Sequence, residues 1–340
     1  MIRMIRRISY RNIEGIRGSL AFWFADTAYQ IIVGSMLSTI AGETYDELRR
    51  IAINAQQLID VEEYSNRKHL FTSIALKGSE RVKKIGVREA MWIVEQGIEF
   101  FGRPPPELFI EYGEYLEGFL NAGMLKRQHI FVSDVVVSLA VLGAALSHSY
   151  SITVNNERFH GYISYKGVWR VEDPQRRHEL AREICDVIGR MAIASSRGVG
   201  EKPSPDAMVL AAASLIRRRG VYVEPTDILE IIELTKRAKK SGITMYRVSH
   251  ISSVVSKIDS GFAGGFLELA RFYGDKAVKR AVDFIAKEVL RYVSSLSRIN
   301  IYNILKLIRS EAFSEEIARI VGRNRWREID NAIAEWVKAL

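Results

Sequence analysis

The sequence predicts a mainly α, multi-helix globular protein with a small antiparallel β-hairpin element near residues 151–171. Over most of the chain apolar residues recur every three to four positions, the spacing of one helix face. Glycine and proline clusters such as Gly102-Arg103-Pro104-Pro105-Pro106 fall between these stretches, where a helix cannot continue. Only Ser151–Val171 gathers β-branched and aromatic residues around tight-turn pairs. At 340 residues and 48% hydrophobic content the chain is long enough for two regions. These are an N-terminal helical region with the β element, 1–196, and a C-terminal helical domain, 204–340, parted by Arg197-Gly198-Val199-Gly200-Glu201-Lys202-Pro203-Ser204-Pro205.

The elements follow in order. Thr44–Tyr64 sets Leu48, Ile51, Ala52, Ala55, Leu58 and Ile59 on one stripe, with Glu47, Arg49, Arg50 and Gln56 off it. Gly86–Phe101 is a second helix, stopped by the proline run. Glu107–Leu125 is an acidic helix, with Glu107, Glu111, Glu114 and Glu117 three or four apart on a face suited to solvent or a basic partner. Phe131–Ser147 is apolar enough to suggest a membrane span, but Ser133, Asp134 and Ser138 lie within it. A carboxylate at mid-bilayer costs about 2.5 kcal/mol or more, so a buried core helix is expected. Asn155-Asn156 and Lys166-Gly167 each suit a hairpin turn, which predicts three short strands. After Asp173-Pro174 the pattern is helical to the end. One helix covers Pro174–Ser195, and the next is capped by Ser204-Pro205-Asp206 and closed by Arg217-Arg218-Arg219-Gly220. Pro225 opens another; the Gly261–Gly265 segment, Asp275–Ser294, Ile299–Arg309 and two helices separated near Gly322 complete the chain.

Within that helical half, Ala238 to Ile251 has the spacing of a helix-turn-helix. Gly242 ends the first helix, Val248 and Ile251 face inward, and Met245, Tyr246, Arg247, Ser249 and His250 stay free to touch DNA. The same register also describes a plain helical hairpin in a core.

Composition narrows the chemistry. A net charge of +9 and one cysteine, Cys185, favour a polyanionic partner in a reducing cytosol and exclude an internal disulfide or a cysteine-based zinc cluster. Abundant Ile, Arg and Glu with few Asn and Gln look thermophilic. No signal peptide is expected, because Asp26, Thr27 and Gln30 interrupt the apolar run after the basic start. His178-Glu179 lacks the second histidine of a zinc-protease helix, and His148 with His160 would hold a metal poorly. Neither a P-loop nor a Gly-x-Ser-x-Gly turn is present, and Gly198-Val199-Gly200 lacks the third glycine of a dinucleotide fingerprint. No catalytic residue, metal or cofactor is therefore assigned. A metal-dependent nuclease with dispersed carboxylates, a helix-turn-helix DNA-binding protein and a protein-only scaffold stand as alternatives.

Basic clusters are the stronger signal. Between Asn66 and Arg88 seven cations face one carboxylate, Glu80. Arg67, Lys68, Arg81, Lys83 and Lys84 are the candidate phosphate ligands there. Arg217, Arg218 and Arg219 form a further patch near Lys239, Lys240, Tyr246 and Arg247, and Arg3, Arg6, Arg7, Arg11 and Arg17 make a basic N-terminal arm. Tyr64, Phe71, Tyr162, Tyr165 and Trp169 lie beside cations and suit stacking on unpaired bases. The stretch Tyr64-Ser65-Asn66-Arg67-Lys68-His69-Leu70-Phe71, the mid-chain strands and the helical Arg298-Ile299-Asn300-Ile301-Tyr302-Asn303-Ile304-Leu305-Lys306-Leu307 resemble the large subunit of the archaeal type I-A CRISPR interference complex. The resemblance implies a non-catalytic cytoplasmic subunit that joins other proteins in a ribonucleoprotein for antiviral defence. It also implies help in recognising the short motif beside the target, and holding of separated DNA strands. It transfers no individual residue.

Overall fold

The computed structural model describes residues 6–17, 19–35, 37, 45–66, 71, 73–78, 82–105, 108, 130–236, 241–248 and 251–340, and helices dominate among them as the spacing predicts. Contacts divide the chain into two units, Met1–His148 with Val168–Arg182, and Ser149–Gly167 with Glu183–Leu340.

In the first unit β1 (Arg6–Ile8) leads through a 3₁₀ segment to α1 (Leu20–Ile32), all of whose residues are buried. Two of its buried polar side chains are bonded within the core: Asp26 accepts from the Leu37 N–H at 2.9 Å and from Gln30 Nε2 at 2.7 Å, and Thr27 Oγ1 donates to the Trp23 carbonyl at 2.9 Å. The amphipathic stretch that follows forms two helices rather than one, α2 (Tyr45–Leu58) and α3 (Val61–Asn66). Asp60 makes the break, accepting from the Glu62 and Glu63 N–H groups, each at 2.9 Å. A hairpin follows that the helical spacing does not anticipate, β2 (Ser73–Lys77) with β3 (Val82–Gly86). α4 (Val87–Gln96) ends short of Phe101 because Gly97 takes φ +63°. β5 (Ile130–Ser133) lies between β1, to which it is parallel, and β4 (Phe101–Gly102), to which it is antiparallel. The acidic helix expected over Glu107–Leu125 lies, apart from Leu108, outside the described residues.

α5 (Asp134–Ser147) is the expected core helix, with Ser133 as its N-cap and Asp134 in its first turn. It packs on α1 so closely that a Cβ on Gly143 would stand 1.7 Å from the Phe24 carbonyl oxygen, so only glycine fits there. α6 (Pro174–Gly198) begins in this unit and supplies Arg177, 3% exposed. That guanidinium donates to the carbonyls of Ile31 at 2.9 Å and Ile32 at 3.2 Å, closing the C-terminus of α1, and to those of Val171 at 2.6 Å and Glu172 at 2.8 Å. Burial lowers its pKa, yet four carbonyl partners hold the charge.

The second unit joins a sheet to a helical bundle. The break expected at Arg197–Pro205 lies within it, as the end of α6 and the cap of α7 (Pro205–Arg218); the Ser204 hydroxyl accepts from the Ala207 N–H at 3.1 Å. Cys185 is a buried thiol on α6. α8 (Ile251–Lys257), α9 (Ser260–Ala270), α10 (Lys276–Ser295), α11 (Arg298–Ile308), α12 (Glu311–Val321) and α13 (Arg323–Ala339) follow. α7 is buried from Ala207 to Ile216 and packs on α9 and α10, while α13 covers α9 with Trp336 against Phe262 at 4.2 Å.

β6 (His148–Val154) and β7 (Glu157–Lys166) turn at Asn155-Asn156, whose φ values of 50° and 63° are those of a type I′ hairpin. The third strand expected beyond Lys166-Gly167 does not follow: Val168–Arg170 is a 3₁₀ turn. Instead β7 pairs with β8 (Ile228–Lys236), and β8 with β9 (Ser241–Val248), so strands extend beyond 151–171. This corrects the helix expected after Pro225 and, with it, the helix-turn-helix: Gly242 sits in the ladder opposite Thr235 rather than ending a helix. An apolar run such as Ile228-Leu229-Glu230-Ile231-Ile232-Glu233-Leu234 fits either period, and its β-branched content decides for a strand. Glu230 and Glu233, three apart as on a helix stripe, fall instead on opposite faces of β8.

Candidate nucleic-acid interface

Arg67, Lys68, Arg81, Lys239 and Lys240 lie outside the described residues. The described candidates divide according to whether a carboxylate already holds them. Lys83 is held: on the inner face of the β2–β3 hairpin its Nζ meets Asp134 Oδ2 at 2.9 Å and lies 5.5 Å from the Trp92 ring. Asp134, 1% exposed, also accepts from the Phe100 N–H at 2.9 Å, so Lys83 neutralises a buried carboxylate at the start of α5. Lys84 is exposed on the other face, opposite Ala75. Arg217 and Arg218 are exposed in the last turn of α7, where a cation complements the helix dipole. Arg219 is tied down, with Nε 2.7 Å from Glu183 Oε2 and NH2 on the other carboxylate oxygen.

β9 removes the reading helix that Tyr246 and Arg247 were expected to share. Neighbours on a strand point to opposite faces, so the two side chains cannot line one surface. Arg247 Nε is 3.4 Å from Glu230 Oε1 and Lys166 Nζ is 3.1 Å from Oε2, so two cations hold one carboxylate that is 2% exposed. On the opposite face Glu233 accepts from Lys202 Nζ at 2.5 Å and from the Tyr150 hydroxyl at 3.2 Å. Burial first, then the Glu233 charge, pushes the Tyr150 pKa well up, so the hydroxyl stays a donor.

A set of cations that clustering in sequence does not reveal lies on α10. Lys276, Arg280, Lys287 and Arg291 are exposed. At 100° per residue they fall within roughly 60° of arc, and at 1.5 Å per residue they extend about 22 Å along the axis. Asp283 borders the arc, but Lys279 Nζ at 2.8 Å and the Tyr273 hydroxyl at 2.5 Å occupy its two oxygens. Burial opposes the charge on Lys279, and the Asp283 and Glu201 carboxylates outweigh it, leaving its pKa raised. Tyr273 also accepts from the Ser204 N–H at 3.0 Å, which ties the cap of α7 to α10 behind the stripe.

Arg291 donates to Glu288 Oε1 at 2.9 Å, and Asn303 Nδ2 donates to Oε2 at 2.9 Å, so α11 borders the same end of the stripe. α11 exposes Arg298, Lys306, Ile299 and Tyr302, the last at 65%. Among the described residues Lys276, Arg280 and Lys287 have no carboxylate within ion-pair distance. A polyanion tracking this face would meet charge that no partner among the described residues has neutralised. The signal was present in the sequence as cations at i, i+4, i+11 and i+15 of an expected helix.

Among the described residues no group of three or more His, Cys, Asp or Glu side chains is placed to hold a metal ion, and no helix is long and apolar enough to cross a membrane. No protein-family model, curated protein or solved structure matches the chain.

Proposed function

We propose that this chain is a nucleic-acid-binding, non-catalytic subunit of a larger ribonucleoprotein, and that α10 is part of its nucleic-acid-binding surface. The observation that carries the reading is the stripe of Lys276, Arg280 and Lys287, three exposed cations on one face of one helix with no carboxylate partner among the described residues. Such cations bind phosphates through charge and released counterions, with little sequence information. Tyr302 and Ile299 of α11, which is bonded to α10 through Asn303 and Glu288, are exposed and would give unpaired bases an apolar surface. The resemblance to the large subunit of the archaeal type I-A CRISPR complex supplies the assembly in which such a surface would act, with other protein subunits and target DNA as partners.

The test is fluorescence anisotropy on labelled single-stranded and duplex DNA and RNA over a range of salt, with parallel incubation in Mg²⁺ or Mn²⁺. Binding that weakens steeply with salt, without cleavage, is the expected result. Salt-independent binding or none overturns the interface, and cleavage abolished by one carboxylate substitution overturns the non-catalytic reading.

A further inference from the structure

A cleft of about 550 Å³ opens between α6, α7 and α9 of the second unit. Small-molecule sites run from roughly 300 to 1,000 Å³ and combine apolar walls with a few placed polar groups. Here Val187, Met191, Leu215 and Leu267 contribute apolar wall, and guanidinium groups stand around it. Two of these are fixed by acids of the same cleft: Glu183 holds Arg219, and Glu268 holds Arg271 at 2.9 Å through one oxygen and Arg325 at 3.2 Å through the other. Asp186, the remaining carboxylate of the lining, is engaged as well. Arg190 of α6 and Arg218 of α7 are exposed, and among the described residues neither has an ion-pair partner.

We propose that this cleft binds a nucleotide 5′-phosphate, with Arg190 and Arg218 on the phosphate and the base against the apolar wall. Two guanidinium groups match a phosphate monoester, which carries about −1.5 to −2 at neutral pH, in charge and in forked donor geometry. Glu183 and Glu268 do not repel it, because each is already neutralised inside the cleft. A bare phosphate would leave the apolar wall and most of the volume unused; a base and sugar occupy both. None of the α10 cations takes part, so the cleft stands independently of the proposed interface.

Calorimetric titration of the full chain tests this with AMP, adenosine, and short oligonucleotides bearing a 5′-phosphate or a 5′-hydroxyl. AMP should bind saturably and adenosine roughly tenfold or more weakly, since charge-assisted bonds contribute about 1.5–3 kcal/mol each. Arg190→Ala and Arg218→Ala should each weaken AMP by a similar factor in a chain that still unfolds cooperatively, both side chains being exposed and Arg218 contributing only its helix-end charge to stability. The triple variant Lys276→Ala/Arg280→Ala/Lys287→Ala should keep AMP affinity and lose oligonucleotide affinity, which separates failure of this proposal from failure of the interface. In that triple variant, stronger binding of the 5′-phosphorylated than of the 5′-hydroxyl oligonucleotide assigns the cleft to a strand end, and AMP binding with equal affinities for the two oligonucleotides assigns it to a free nucleotide. Absence of saturable binding by both AMP and the 5′-phosphorylated oligonucleotide, or binding that survives Arg190→Ala/Arg218→Ala, overturns the proposal.

Discussion

Alanine at Lys276, Arg280 and Lys287 together removes three exposed charges from α10 and breaks no ion pair among the described residues. Alanine is the best helix former, and the buried face of Val278, Ala281, Val282, Ile285 and Val289 is untouched, so the helix should persist. Arg291 is kept deliberately, because Glu288 beneath it is 2% exposed and would be left with fewer donors. Each phosphate contact contributes about 0.9 to the salt slope on duplex and about 0.7 on a single strand, so the slope should fall by roughly 2 to 2.7. Referred to 1 M salt, that is roughly a 50- to 170-fold loss of affinity at 0.15 M. Anisotropy at several salt concentrations measures both quantities, and thermal unfolding confirms the fold. A folded variant with an unchanged slope refutes the argument, because α10 then carries none of the phosphates.

Three further outcomes follow from the ion pairs and from burial. Lys83→Ala should cost about 1.5–3 kcal/mol in chemical denaturation, since Asp134 keeps its Phe100 N–H bond but loses its ammonium partner; a reduced salt slope at unchanged stability would instead return Lys83 to the phosphates. Arg247→Ala should cost under about 1 kcal/mol, because the side chain is 43% exposed and screened while Lys166 stays 3.1 Å from Glu230. Its binding profile on a panel of duplexes should equal that of the parent protein, and a relaxed preference at one base would count against the strand. His178 gives a pH dependence: burial first, then the Arg182 charge, lowers its pKa from 6.5, so the unfolded chain binds the proton more readily. Stability from the neutral ring is therefore complete above the unfolded value and is lost as pH falls below about 6.5. His178→Gln should flatten that part of the denaturation-midpoint curve, and an identical curve would show that the ring does not contribute.

The helices legible in the sequence are those whose caps and period agree. Ser204 before Pro205, Asp275 before Lys276 and Gly322 between α12 and α13 mark boundaries that the structure keeps. The misread segments are those where local spacing leaves helix and strand equivalent. β8 is buried on both faces, each carrying apolar residues and one glutamate, so neither alternation nor a polar stripe marks it. Its pairing with β7 joins residues more than sixty positions apart, and no local pattern encodes that. Arg177 illustrates the same limit: nothing near it in sequence announces that it will close the end of α1.

The described candidate cations differ in what holds them, for a related reason. Counting cations over a window measures charge density, whereas a phosphate responds to charge that no internal carboxylate has already neutralised. Lys83, Arg219 and Arg247 sit in or near dense basic clusters, yet Asp134, Glu183 and Glu230 hold them. Two of those carboxylates are almost wholly buried, and a buried carboxylate stripped of its cation is costly. Asp134 therefore holds Lys83 firmly, whereas Glu230 shares its charge between Lys166 and Arg247 and keeps the first when the second is removed. On α10 the order is reversed. Acids are interleaved with the cations along the sequence, so local net charge looks ordinary, but the helical period turns Glu288 inward and leaves Asp283 to Lys279 and Tyr273. What remains outward is a row of like charges, Lys276, Arg280 and Lys287, with no acid paired to them among the described residues, whose mutual repulsion would fall if an external polyanion lay along it.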